Sequence, residues 1–158
     1  MKAGNYDISL DQGSTFNFHI TYMDASDVGI TLDTYQTTMH VRRSFKSDQL
    51  ILSMSGNTAS TSVTGGGSTG EFTAGVSAAS GGGSAGTGGI FLDVNTNGIS
   101  GTTGSTGGIL IKIDSDTMQN VPYGRHFYDI EITDLSKTPN EVNRILKGAF
   151  EVDAEVTR

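Results

Sequence analysis

From Ser14 to Asp24 apolar and polar side chains alternate, with Phe16, Phe18, Ile20 and Tyr22 set against Asn17, His19 and Thr21. A period of two is that of a strand with one buried face. "DASDVG" then predicts a turn, since Asp and Gly accept tight backbone conformations. The next strand, "TYQTTMHVRRS", puts Tyr35, Thr37, Met39 and Val41 on one face and Gln36, Thr38, His40 and Arg42 on the other. "LILSMS" follows with Leu50, Leu52 and Met54 in phase, "GNTA" turns the chain, and "STSVT" reads as a weaker strand. The same grammar returns after Gly108. Ile109, Ile111 and Ile113 alternate with Leu110, Lys112 and Asp114, and Tyr128, Ile130 and Ile132 with Asp129, Glu131 and Thr133. The last strand carries Leu146, Gly148, Phe150, Val152, Ala154 and Val156 on one side. No segment keeps helical spacing beyond a turn, although "SDTMQNV" predicts one short helical turn capped by Ser115 or Asp116.

Six or seven strands with one apolar face each must pair those faces, and two packed antiparallel sheets do so most simply. The expected fold is therefore all-β, an immunoglobulin-like antiparallel β-sandwich, with residues 1–158 as a single domain. The spacing of Gly124 and Tyr128 is loosely that of the tyrosine corner of such sandwiches.

Residues 65–108 interrupt the pattern. They hold 16 of the 22 glycines and two charged residues, Glu71 and Asp93. With strand-like sequence on both sides, the stretch reads as a Gly/Ser/Thr-rich insertion between strands. Glycine is costly to order, which favours a solvated loop. Phe72, Val76, Ile90, Phe91 and Leu92 argue the other way, as anchors for packing against another chain. Within it, "DVNTNG" places Asp93, Asn95 and Asn97 at the alternate positions of a calcium loop. The bidentate carboxylate such a loop requires is replaced by Gly104, and an Asn-Gly pair after a strand also makes a hairpin turn. Calcium is the one cofactor the sequence raises.

A formal charge of −7 argues against nucleic acid and anionic membrane as partners. No apolar run is long enough to span a bilayer, and "MKAGNYDISL" has no signal-peptide core, so synthesis and folding in cytoplasm are expected. The absence of cysteine excludes disulfides and thiolate chemistry. His19 and His40, on the polar faces of strands, offer half a metal site or two solvated imidazoles. No nucleophile elbow, paired-carboxylate signature or phosphate loop appears, and no enzymatic activity is expected. Arg42 and Arg43, with Lys46, form the basic cluster near a strand end and are candidates for a subunit contact with acidic neighbours.

Three stretches in order carry a resemblance. They are "LDQGSTFNFHITYMDASDVGITLDTYQTTMHVRRS", "GILIKIDSDTMQNVPYGRHFYDIEITD" and "NEVNRILKGAFEVDAEVTR". Together they resemble the small Ig-like virion proteins of tailed bacteriophages, including the N-terminal modules of upper-baseplate proteins, over roughly residues 7–55 and 108–158. The resemblance implies a non-enzymatic structural component of the tail, baseplate or neck, made in the host cytoplasm. It would be present in many copies, a homo-oligomer in contact with other virion proteins, with no catalytic residues to transfer. Residues 65–108 depart from the family pattern. Two other functions stay open: a carbohydrate- or host-surface-binding sandwich, calcium-assisted through Asp93, Asn95 and Asn97, and a capsid decoration protein.

Overall fold

The computed structural model describes residues 2–48, 50–57, 60–65, 78–79, 89–92 and 107–156. Phe72, Val76, Asp93, Asn95 and Asn97, named above as interface and calcium candidates, lie outside the described residues. The fold is all-β. Its strands are β1 (Gly4–Asn5), β2 (Ile8–Asp11), β3 (Phe16–Thr21), β4 (Tyr35–Arg42), β5 (Leu50–Gly56), β6 (Ser60–Gly65), β7 (Ala78–Ala79), β8 (Gly89–Leu92), β9 (Gly108–Ile113), β10 (Gly124–Asp134) and β11 (Glu141–Asp153). They make two sheets. The larger runs β1-β11-β10-β4-β5-β6-β7, with β2 also on β11; the smaller runs β3-β9-β8.

The alternation read from the sequence sets which face each strand buries. Met39 and Val41 of β4, Leu52 and Met54 of β5, Tyr128, Ile130 and Ile132 of β10, and Phe150 and Val152 of β11 line the inner face of the large sheet. Opposite them, Ile109, Ile111 and Ile113 of β9 close the same core from the small sheet, and Phe16 meets Phe150 edge-on at 6.1 Å. Burying such a side chain is worth about 1.5–3 kcal/mol, so one core welds the two layers.

Two β-bulges change the phase. Across β4 and β5 the register shifts between Val41 and Arg42, so Leu50 lies opposite Arg42 on the outer face while Ile51 is buried. Leu50 therefore does not share a face with Leu52 and Met54 as expected. Across β10 and β11 the shift at Ile130/Glu131 leaves Ile145 as the extra residue and turns Val142, 54% exposed, outward beside Thr133. Each bulge inserts one residue on one strand and reverses the faces beyond it.

The sheet is not purely antiparallel, because β1 and β2 both run parallel to β11. Between them the chain crosses over Gly148, where an added Cβ would stand 1.9 Å from the Tyr6 carbonyl oxygen. Three hydrogen bonds hold the crossing: Tyr6 N–H to the Lys147 carbonyl (3.0 Å), Ala149 N–H to Asp7 Oδ1 (2.8 Å), and the Tyr128 hydroxyl to the Tyr6 carbonyl (2.7 Å). Tyr128 thus reaches a carbonyl far back in the chain, not one a few residues upstream as in a tyrosine corner. The helical turn, α1 (Ser115–Gln119), is capped by Asp114, whose Oδ1 accepts from Thr117 N–H at 2.6 Å. The cap is thus one residue before the earlier of the expected two. Met118 and Val121 plug the core beneath it.

The glycine-rich stretch contributes directly to this core. β8 pairs with β9, Ile90 is fully buried and Leu92 nearly so. Ile90 and Leu92 therefore spend their apolar surface within the chain, not on a neighbouring subunit, and residues 89–92 are not separable from the fold. Gly56 of β5 permits this, since a Cβ there would come within 2.0 Å of the Ile90 carbonyl oxygen.

Candidate binding surface

The outer face of the large sheet is a polar grid set by register. His40 stands opposite Ser53 on one side and Asp129 on the other, and Asp129 opposite Lys147. One step along, Thr38 pairs with Glu131 and Glu131 with Arg144. Arg144 reaches both acids, its Nε 3.2 Å from Asp129 and its Nη2 3.2 Å from Glu131. These groups are half-exposed, so each pair is worth no more than about 1 kcal/mol. They are positioned groups that a ligand could re-pair.

After β4, residues 43–48 rise over one end of this grid. Arg42 donates from Nη1 to the Ser47 carbonyl at 3.0 Å, which holds the turn down. Phe45, 68% exposed, lies against Phe127 with ring centroids 4.4 Å apart, and Arg125 sits 6.0 Å over the Phe127 ring. Phe45 and Phe127 bound an open groove of about 390 Å³ whose walls also carry His40, Arg42, Lys46, Asp129, Glu131 and Arg144. Arg42, Lys46 and Arg144 balance Asp48, Asp129 and Glu131, so the groove has donors, acceptors and an aromatic wall but no net formal charge.

The candidates read from the sequence are scattered by the fold. Arg42 and Lys46 line the groove; Arg43 is exposed but is not part of its wall. Phe91 lies half-buried opposite Leu110 on the small sheet. His40 and His19 belong to different sheets, each on a strand whose apolar positions face the shared core, so they do not form half a metal site. Among the described residues, no group of three or more His, Cys, Asp and Glu could hold a metal ion, and no helix is long and apolar enough to cross a membrane.

A second charged cluster sits at the β10–β11 turn. Ser136 donates to Asp134 Oδ1 from its hydroxyl (2.6 Å) and backbone N–H (3.0 Å), and these bonds, with the nearby Lys137 ammonium, hold the Asp134 carboxyl below the usual range. Lys137 also pairs closely with Glu141. The bonds are local and pin a turn. His126 is buried, its Nε2 2.7 Å from the Pro122 carbonyl, and its Nδ1 has no partner among the described residues.

Sequence reasoning missed the groove because its walls come from β4, β10 and β11. Only the Arg42–Lys46 cluster pointed there. No family model matches the chain, and no curated protein matches it.

Proposed function

We propose that this chain is a non-enzymatic structural protein of a tailed-phage virion, an Ig-like β-sandwich that works by multi-copy assembly in the tail, baseplate or neck. Its partners are then other virion proteins, and it is made in the host cytoplasm. The observation that carries the reading is how sheet edges are left. β11 is covered by β1 from Leu146 and by β2 to Asp153, but among the described strands nothing covers its outer edge over Glu141–Ile145. Among the described strands, β3 pairs with β9 alone. Unpaired strand edges are templates for another polypeptide. The stretches that resemble the phage family supply β2–β5 and β9–β11, the frame on which those edges lie. Quantitative mass spectrometry of purified particles of the phage encoding the chain tests this. Many copies per particle are expected, and none would sink the reading.

A second reading is favoured by the groove: a carbohydrate-binding sandwich, with Phe45 and Phe127 as an apolar wall and the Arg144, Asp129 and Glu131 set as hydrogen-bonding partners for hydroxyls. Glycan-array binding that Phe45→Ala abolishes would put this reading first.

A further inference from the structure

Of the edges left unpaired among the described strands, the two longest are Glu141–Ile145 of β11 and the outer side of β3, and they are built differently. Along Glu141–Ile145 the edge carries Glu141 and Arg144 and is distorted by the Ile145 bulge, devices that discourage pairing with another strand. The edge of β3, Phe16-Asn17-Phe18-His19-Ile20-Thr21, has no Asp, Glu, Lys, Arg or Pro and pairs in unbroken register with β9.

Backbone alternation fixes what that edge offers. Tyr22 N–H bonds to the Gly107 carbonyl at 2.7 Å, continuing the β3–β9 register. Phe16, Phe18 and Ile20 therefore direct their backbone groups to β9, and Asn17, His19 and Thr21 direct theirs away from it. The same strand is short of side-chain cover. Phe16, Phe18 and Ile20 are only partly buried, whereas their partners Ile113, Ile111 and Ile109 are fully so. A further strand beside β3 would satisfy the backbone row and cover the apolar row together.

We infer that this strand is β3 of a second copy of the chain, added antiparallel across a two-fold axis at His19. That register sets Asn17 against Thr21 and Phe18 against Ile20, so polar meets polar and apolar meets apolar. Charge selects the same place. A chain of net charge −7 repels its copies over most of its surface, and β3 brings no charged side chain to the axis. A six-residue strand is about 20 Å long and buries far less than the roughly 1,600 Å² of an ordinary stable interface. The pairing is weak in dilute solution and becomes effective where copies are held together. The inference rests on the assembly reading and names one of its contacts.

Sedimentation velocity from about 10 μM to about 1 mM, with amide exchange on the same samples, tests it. Dimer should accumulate with concentration, and the Asn17, His19 and Thr21 amides should slow by about tenfold when about nine-tenths of the chain is paired. His19→Pro deletes an N–H that points away from β9, and His19→Lys sets like charges against each other across the axis. Both variants should keep the wild-type melting temperature and remain monomeric. A wild-type chain monomeric throughout, or variants that associate as wild type does, would overturn the inference. A monomer found in particles defeats this contact but not the virion reading. A β3 dimer absent from particles does the reverse.

Discussion

Two segments are fastened to the rest of the molecule by a glycine lying under a carbonyl. At Gly148 the carbonyl is that of Tyr6, and at Gly56 that of Ile90. The surroundings differ. The first crossing is a polar clamp, with Asp7 and the Tyr128 hydroxyl both engaged. The second is apolar, with Ile90 and Leu92 sunk between the sheets. One geometric device thus serves two kinds of closure, and only the polar one contains groups that titrate.

The largest expected effect breaks the apolar closure. Ile90→Ala removes a fully buried side chain and should cost about 2–5 kcal/mol, read as a lower denaturant midpoint at unchanged slope. A loss under about 1 kcal/mol would return β8 to the status of a dispensable insertion. Next come the glycines themselves. Gly56→Ala and Gly148→Ala should each cost about 1–3 kcal/mol. They differ in where amide exchange accelerates: along the β8–β9 ladder for the first, at Tyr6 and Ala149 for the second. Exchange patterns that do not separate would show that the two closures are one cooperative unit.

The smallest effect sharpens the contrast. Burial first, then the Asp7 carboxylate, raises the Tyr128 phenol above its ordinary value of 10.0. A native value above the unfolded one means that the native state keeps a proton the unfolded chain gives up. The contribution is intact below pH 10.0 and is lost as pH rises from there toward the native value. Tyr128→Phe should lower stability by about 1 kcal/mol at neutral pH and flatten the alkaline decline, leaving the part due to Tyr35, also raised by burial and by Asp134. An unchanged alkaline slope in the variant would remove Tyr128 from the clamp's pH dependence.

These contrasts also mark how far the sequence could be read. Strict alternation located β3, β4, β9 and β10 and their buried faces, because each strand has one wet side and one dry side. β1 and β2 escaped because Ile8 and Leu10 are too few to set a period, and their partner lies at the other end of the chain. Leu50 and Val142 came out on the outer face because a bulge is a property of two strands, and alternation is read from one. β8 was hidden by length, since "GIFL" among glycines is too short to show a period. The groove was least visible, because His40, Asp129 and Arg144 meet only after three strands align.

The pairing of β1 and β2 with β11 bears on biosynthesis. Residues 4–11 leave the ribosome before their backbone partners, residues 146–153, which are made more than a hundred positions later. At about 5–20 residues per second, that segment waits several seconds or more with its hydrogen-bonding groups unmatched. Closing such distant contacts late is slow, so the nascent chain has a window in which β1 and β2 could take the wrong neighbour.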